Sequence, residues 1–521
     1  MRKKMNILFF ITDQQRADHL GCAGNPILKT PNLDRLASEG VRFSSAYVAS
    51  PTCMPNRASI MTGQYPNMCV RAYGVNLNTL EHLPKFPDIL RKRGYVTKAI
   101  GKMHFNYWAR DFTNSKSVEL IPKWISKNKR KNLIENFPKP YCGFDDVELL
   151  AGHGDLCVGH YSEWLEERAP EYAKQIYAKM NTLLDNTYRE SFLPEEHYPT
   201  SYCTDRAIDF LEKHAKGDNG DKPFLLYVSY PDPHHPCTPP GKWGEMYKPE
   251  DIELPKSFND KENIKNHKFI GPRSDHPQFG RMLFHTSSEE EVRGFTAKTY
   301  GMLSMIDDSV GQILAALEKL GLADNTMIVY TSDHGDMMGD HGMILKGFMG
   351  FNGIFNVPLI WKVPGITPKG GVSDSLVSSV DLAPTILKLS NINKRKIPLD
   401  MQGVDITPIL KDPSLKLRDS CIVEVDEADI RMKAPAIQNN PLLKIFGNTA
   451  LRVKSLVTER YTLTVYNQLH GYGDLFDRQN DPDELNNLWY SNPELRLELL
   501  DKLVHEIINV QSFYPKKQGI G

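Results

Sequence analysis

No stretch of the chain approaches the roughly 18 unbroken apolar residues that a membrane-spanning helix needs. The first apolar run, Ile7 to Ile11, follows a basic start (Arg2-Lys3-Lys4) but stops at Asp13. It is too short for a secretory signal and lacks a small-residue cleavage site, so it reads as a buried strand. An excess of one charge is missing too. Lys and Arg number 63 against 64 Asp and Glu, which excludes a global field for nucleic acid or an acidic membrane. Any affinity for an anion must be local. Cysteine is sparse: eight are scattered at 22, 53, 69, 142, 157, 203, 237 and 421, with no clustered framework. That pattern favours reduced thiols in a cytoplasm. What the chain does have is length, 521 residues with 40% apolar side chains, enough for one large domain with a smaller one attached.

The organising stretch is Ser50 to Gly63. Pro55 suits a first helical turn, and Gly63 is a natural C-terminal cap. Cys53 then sits at the positive end of a short helix, where backbone N–H groups and Arg57 would meet an anion. Several apolar strand runs end in ionisable groups. Residues 6–11 deliver Asp13 and Gln14, residues 95–100 deliver Lys102 and His104, residues 223–230 deliver His234 and His235, and residues 326–331 deliver Asp333 and His334. In open α/β sheets the carboxyl ends of the strands are where ligands bind. Thr299 to Leu320 has helical spacing with Asp307 and Asp308 on it, read as structural or solvated. The Lys-rich tract 123–131 reads as a solvated face.

Cys53-Met54-Pro55-Asn56-Arg57 followed by Ala58-Ser59-Ile60-Met61-Thr62-Gly63 resembles the signature of the type I sulfatases of the alkaline phosphatase superfamily, in which that cysteine becomes formylglycine. Gly101-Lys102-Met103-His104, the histidine of Pro233-His234-His235-Pro236, Asp333-His334-Gly335 and Asp481-Pro482-Asp483-Glu484-Leu485-Asn486-Asn487-Leu488 resemble further family motifs. Choline sulfatases share Gly-Lys-Met-His-Phe, and phosphonate monoester hydrolases share the cysteine motif and the Asp-His pair. The chain departs from the family at Gln14, where many members have Asp, and at Tyr73, where they have Asn; Asn76 or Asn78 is a candidate substitute. Residues 105–200 match least.

The resemblance implies an α/β fold, a mostly parallel sheet between helices in residues 1–412, with 105–200 a substrate-specifying insertion. Residues 413–521 would form a smaller C-terminal α+β subdomain. It implies a sulfuric ester hydrolase with Cys53, Arg57, Lys102, His104, His234 and Lys346 catalytic. One divalent metal would lie on Asp13, Gln14, residue 53, Asp333 and His334, with Ca²⁺ ranked ahead of Mn²⁺ or Mg²⁺. The partners implied are a sulfated small molecule or carbohydrate and a formylglycine-generating enzyme, with an oligomer allowed and neither nucleic acid nor membrane expected. The alternatives are a phosphonate monoester or phosphodiester hydrolase, which usually lacks Gly-Lys-x-His, and a non-catalytic anion-binding protein.

Overall fold

The computed structural model describes residues 4–69, 80, 83–106, 117–180, 187–274, 287–426 and 451–511. In chain order the strands before the C-terminal sheet are β1 (Asn6–Thr12), β2 (Val41–Phe43), β3 (Ala46–Tyr47), β4 (Val96–Lys102), β5 (Asp146–His153), β6 (Leu156–Gly159), β7 (Phe224–Ser229), β8 (Thr326–Ser332), β9 (Leu359–Lys362), β10 (Gly371–Ser373) and β11 (Val377–Ser378). Nine of them form one sheet in the order β10-β2-β9-β8-β1-β7-β4-β5-β6. Its centre, β8-β1-β7-β4-β5, is parallel, while β9 and β6 run antiparallel to their inner neighbours.

Every residue of β1, β7 and β8 is buried, as expected for parallel strands covered on both faces, which read as continuous apolar runs rather than alternating ones. The register aligns Ile11 with Ser229 and Thr12 with Ser332. The carboxyl ends of β1, β7 and β8 therefore share one edge. On one side of the sheet lies the helix Glu289–Lys319, whose N-cap Ser288 accepts the N–H of Glu291. Asp307 on this helix is buried and accepts the N–H groups of Asn32 and Leu33, so it anchors the start of the helix Pro31–Ser38. That is the structural role its place on a crossover helix suggests.

The C-terminal sheet is antiparallel: β12 (Ser420–Asp426), β13 (Arg452–Thr458), β14 (Tyr461–Tyr466) and β15 (Gly473–Asp477). One face packs Leu456, Leu463 and Leu475 on Leu499 and Leu503 of the terminal helix Pro493–Gln511. The other face joins Val423, Val453 and Val457 to Phe351, Ile354 and Phe355 of the larger unit. The helix Lys127–Glu135 carries the Lys-rich tract. Most of its side chains are solvated, but Arg130 is buried against Glu163 and Glu166, which the sequence pattern did not suggest.

Candidate active site

The helix Cys53–Thr62 begins and ends where the spacing predicts, with Gly63 in the left-handed region at φ 67°. All ten of its residues are buried, and Cys53 stands at its first position. The Cys53 Sγ lies 3.1 Å from His334 Nε2, 3.1 Å from Lys346 Nζ and 3.7 Å from Asp13 Oδ1. Ligand atoms of Asp13, Cys53, Asp333 and His334 all fall within 4.8 Å of one another. His334 Nδ1 is 2.9 Å from the carbonyl of Gly335, which can only accept, so Nδ1 carries a proton and Nε2 is the nitrogen that faces the cluster. Two buried carboxylates and an imidazole nitrogen this close together form a donor set that fits a divalent cation.

Three cations surround these acids. Arg57 Nε donates to Asp333 Oδ2 at 2.7 Å, and its Nη1 donates to the Lys102 carbonyl at 2.9 Å and to Ser229 Oγ at 2.8 Å. Asn56 Nδ2 adds a hydrogen bond to the Asp333 carbonyl at 2.6 Å. Lys102 Nζ is paired with Asp13 Oδ2, and Lys346 Nζ lies 3.4 Å from Gln14 Oε1. Gln14 Nε2 turns the other way, to Asp336 Oδ2 at 2.6 Å.

Burial alone would raise the Asp13 carboxyl, but Lys102, with His234, His334 and Lys346, holds it well below the usual carboxylate range. Asp333 goes up instead, because burial and the neighbouring Asp13 outweigh Arg57. Burial and Asp13 push the Cys53 thiol up, yet Lys346, Lys102 and His334 bring it down to about 5. The region stabilises added negative charge.

The histidines form the other half. Gly101 brings β4 so close to β7 that a Cβ would lie 1.9 Å from the Ser229 carbonyl, and Lys102 and His104 leave the sheet from there. His104 is buried, and burial together with Lys102 and Arg57 holds its pKa well below the ordinary value. His234 is buried, stacks on His235 at 4.1 Å, and is likewise held low by burial, His153 and Lys346.

His153, which ends β5, joins the site although none of the motifs above includes it. Its ring lies flat on His234, centroids 3.6 Å apart and planes 9° from parallel, with Nδ1 3.7 Å from Asp13 Oδ2. The turn after it is latched to the His234 loop. A Cβ on Gly154 would meet the Pro236 carbonyl at 2.5 Å, and the Asp155 N–H donates to Thr238 Oγ1 at 2.9 Å. The apolar run of β5 ending in Gly152-His153 is the same kind of signal as the other strand ends.

Left-handed backbone marks the site as well. Gln14 (φ 74°), His104 (φ 51°) and Leu345 (φ 69°), next to Lys346, are non-glycine residues in a region that side chains usually avoid. Tyr73, Asn76 and Asn78 lie outside the described residues.

The sulfatase family model matches residues 5–392, and the chain belongs to the sulfatase family. It is 28% identical over 509 residues to an arylsulfatase of Clostridium perfringens (strain 13 / Type A), covering 96% of this chain and 94% of that one. A solved structure in complex with D-glucosamine-2-N,6-O-disulfate aligns with TM-score 0.69 at 20% identity, over 99% of this chain and 100% of that one. The phosphonate monoester hydrolase of Agrobacterium radiobacter aligns with TM-score 0.73 at 23% identity, over 97% and 96%. Both structures share the fold of this chain. The chain is an enzyme that hydrolyses sulfuric esters.

Proposed function

We propose that the substrate is a sulfate monoester of a small molecule or carbohydrate, cleaved where Asp13, Cys53, Asp333 and His334 converge. The observation that carries this reading is the packing of four ligand atoms within 4.8 Å, with Lys102 and Lys346 in contact with them. A carbohydrate ester is favoured by the neighbour solved with a sulfated glucosamine. Cys53 is the residue that a formylglycine-generating enzyme would oxidise; the hydrated aldehyde supplies an oxygen nucleophile, which a thiol does not.

Asp13, Gln14, Asp333 and His334, with residue 53, would hold one divalent cation. When bound, that ion supplies Lewis acidity to the reacting oxygens. Oxygen donors put Ca²⁺ first, and the His334 nitrogen keeps Mn²⁺ and Mg²⁺ as alternatives.

Arg57 fixes Asp333 and the Lys102 carbonyl, so it sets the geometry of two functional groups at once. Lys102 and Lys346 neutralise the sulfuryl oxygens as charge moves toward the leaving oxygen. His234 gives that oxygen its proton. An arriving sulfate ester brings negative charge beside His234 and raises the proton affinity that burial holds down. His104 takes the proton whose loss lets sulfate depart. The buried Lys102–His104 pair favours sulfate over the phosphonate or phosphodiester alternative.

In this reading residues 1–412 carry the chemistry, 105–200 select the ester and 413–521 complete the fold. Eight cysteines scattered along the chain with no clustered framework fit a reducing cytoplasm. Peptide mass spectrometry of active protein should find the aldehyde at residue 53. Active protein carrying only unmodified Cys53 removes the mechanism. A panel of sulfated sugars, aryl sulfates and phosphodiesters identifies the ester, and a higher kcat/KM on the phosphodiester would overturn the substrate class.

A further inference from the structure

Beyond Lys102 the chain leaves β4 through Met103 and His104, both buried, with His104 in the left-handed region at φ 51°. The next two backbone N–H groups, of Phe105 and Asn106, also belong to buried residues. Buried N–H groups need acceptors. Both donate to one atom, Oε1 of Glu119, at 3.0 and 3.1 Å. The Tyr141 hydroxyl donates to the same oxygen at 2.5 Å and accepts from Asn106 Nδ2 at 2.8 Å. Glu119 is only 2% exposed. Its own N–H donates to Ser117 Oγ at 3.1 Å, and the Trp124 indole N–H donates to the Val118 carbonyl at 2.8 Å. The clamp is therefore anchored from its own side.

We propose that Glu119 is a positioning residue for His104: it gathers the two N–H groups that follow the histidine and so holds the turn that aims the imidazole at the reacting group. The inference rests on the role given to His104 above. Three donors on one oxygen, closed into a network by Tyr141 and Asn106, tie that oxygen to the backbone just beyond His104. Burial outweighs the opposing hydrogen bonds from Tyr141 and the Phe105 and Asn106 amides, and the Glu119 carboxyl is pushed up to about 7. The segment that departs most from the family pattern thus supplies support to a motif that matches it.

The test is a double-mutant cycle with a structural readout beside it. Glu119→Ala should speed hydrogen exchange at the Phe105 and Asn106 amides by at least about tenfold and lower turnover about 10²-fold, the scale of a small misplacement of a reacting group. In a His104→Ala background the same change should cost less than about twofold, because both substitutions disable one device. Glu119→Gln, which keeps an acceptor oxygen, should recover most of the loss. It also carries the cycle, with an expected loss of about fivefold, if the alanine variant unfolds on a thermal melt.

A full loss that persists in the His104→Ala background, or amides that stay protected without Glu119, would overturn the proposal while leaving the role of His104 intact. Normal turnover in the His104→Ala enzyme itself would instead remove the assignment of His104, and with it any action of Glu119 through that residue.

Discussion

Asp13 and Glu484 are both buried carboxylates, and their surroundings could hardly differ more. Asp13 is fully buried, paired with Lys102, and held well below the usual carboxylate range by that lysine against the effect of burial. Glu484 lies at the seam between the C-terminal unit and the loop before Asn352. Its Oε2 accepts the Asn352 N–H at 2.9 Å, and its Oε1 has no hydrogen-bond partner among the described residues. Burial, reinforced by Asp340, pushes it up to about 8. A buried acid is thus not in itself a reactive one. At the active site, cations brought from the end of β4 and the loop after β8 keep Asp13 charged against its burial, while Arg57 of the cysteine helix only partly offsets the burial of Asp333.

The severest way to break that contrast is to remove one acid from the cation-rich cluster. Asp333→Ala should lose bound metal and all measurable turnover together. It should also leave Arg57, fully buried, without its carboxylate, a loss on the order of 3–5 kcal/mol in stability. Elemental analysis beside kinetics and a thermal melt checks all three. Full metal occupancy in a folded variant would falsify a shared site.

The histidine half should respond to the leaving group rather than to the metal. General acid catalysis is worth about 10² to 10⁴ in rate and shrinks as the leaving group becomes a weaker base. His234→Ala should therefore slow a sugar or alkyl sulfate by that order, slow a nitrophenyl sulfate far less, and keep its metal. His104→Ala should slow both esters alike. Equal losses on the two esters in the His234 variant would leave that histidine a binding or structural role.

Much of this arrangement is legible in the amino-acid sequence. Asp13, His234 and Asp333-His334 each follow an apolar run, and a buried parallel strand must deliver whatever follows it to the sheet's carboxyl edge. Cys53 was legible because Pro55 and Gly63 punctuate its helix. The remainder depends on contacts distant in sequence. His153 touches His234 only because the β5–β6 turn meets the segment after it, and nothing local in Gly152-His153-Gly154 announces that. β5 and β6, two strands of the main sheet, fall inside residues 105–200, where family resemblance fades and the resemblance implies an insertion rather than sheet strands. Arg130 hides in a Lys-rich tract because Glu163 and Glu166 come to it from another helix. Glu484 sits in a phrase typical of the family, yet the phrase does not disclose that its carboxylate is buried.

The mildest prediction tests the other side of the comparison. Burial, with Asp340, pushes the Glu484 carboxyl from an ordinary 4.5 up to about 8, so the folded chain holds this proton more tightly than the unfolded one. The sign follows from linkage: the stability this group allows is fully present below about pH 4.5 and is lost as pH rises through about 8, by at most about 1.4 kcal/mol per pH step. Glu484→Gln removes the ionisation while keeping an amide of similar shape. The variant and the parent should melt at similar temperatures near pH 5, and the variant should melt progressively higher as pH approaches 8, with kcat changed little because no catalytic group touches this residue. Parallel melting curves across that range would mean that Glu484 finds a cation or water that relieves it, and the contrast with Asp13 would then narrow to which partner each acid has rather than whether it has one.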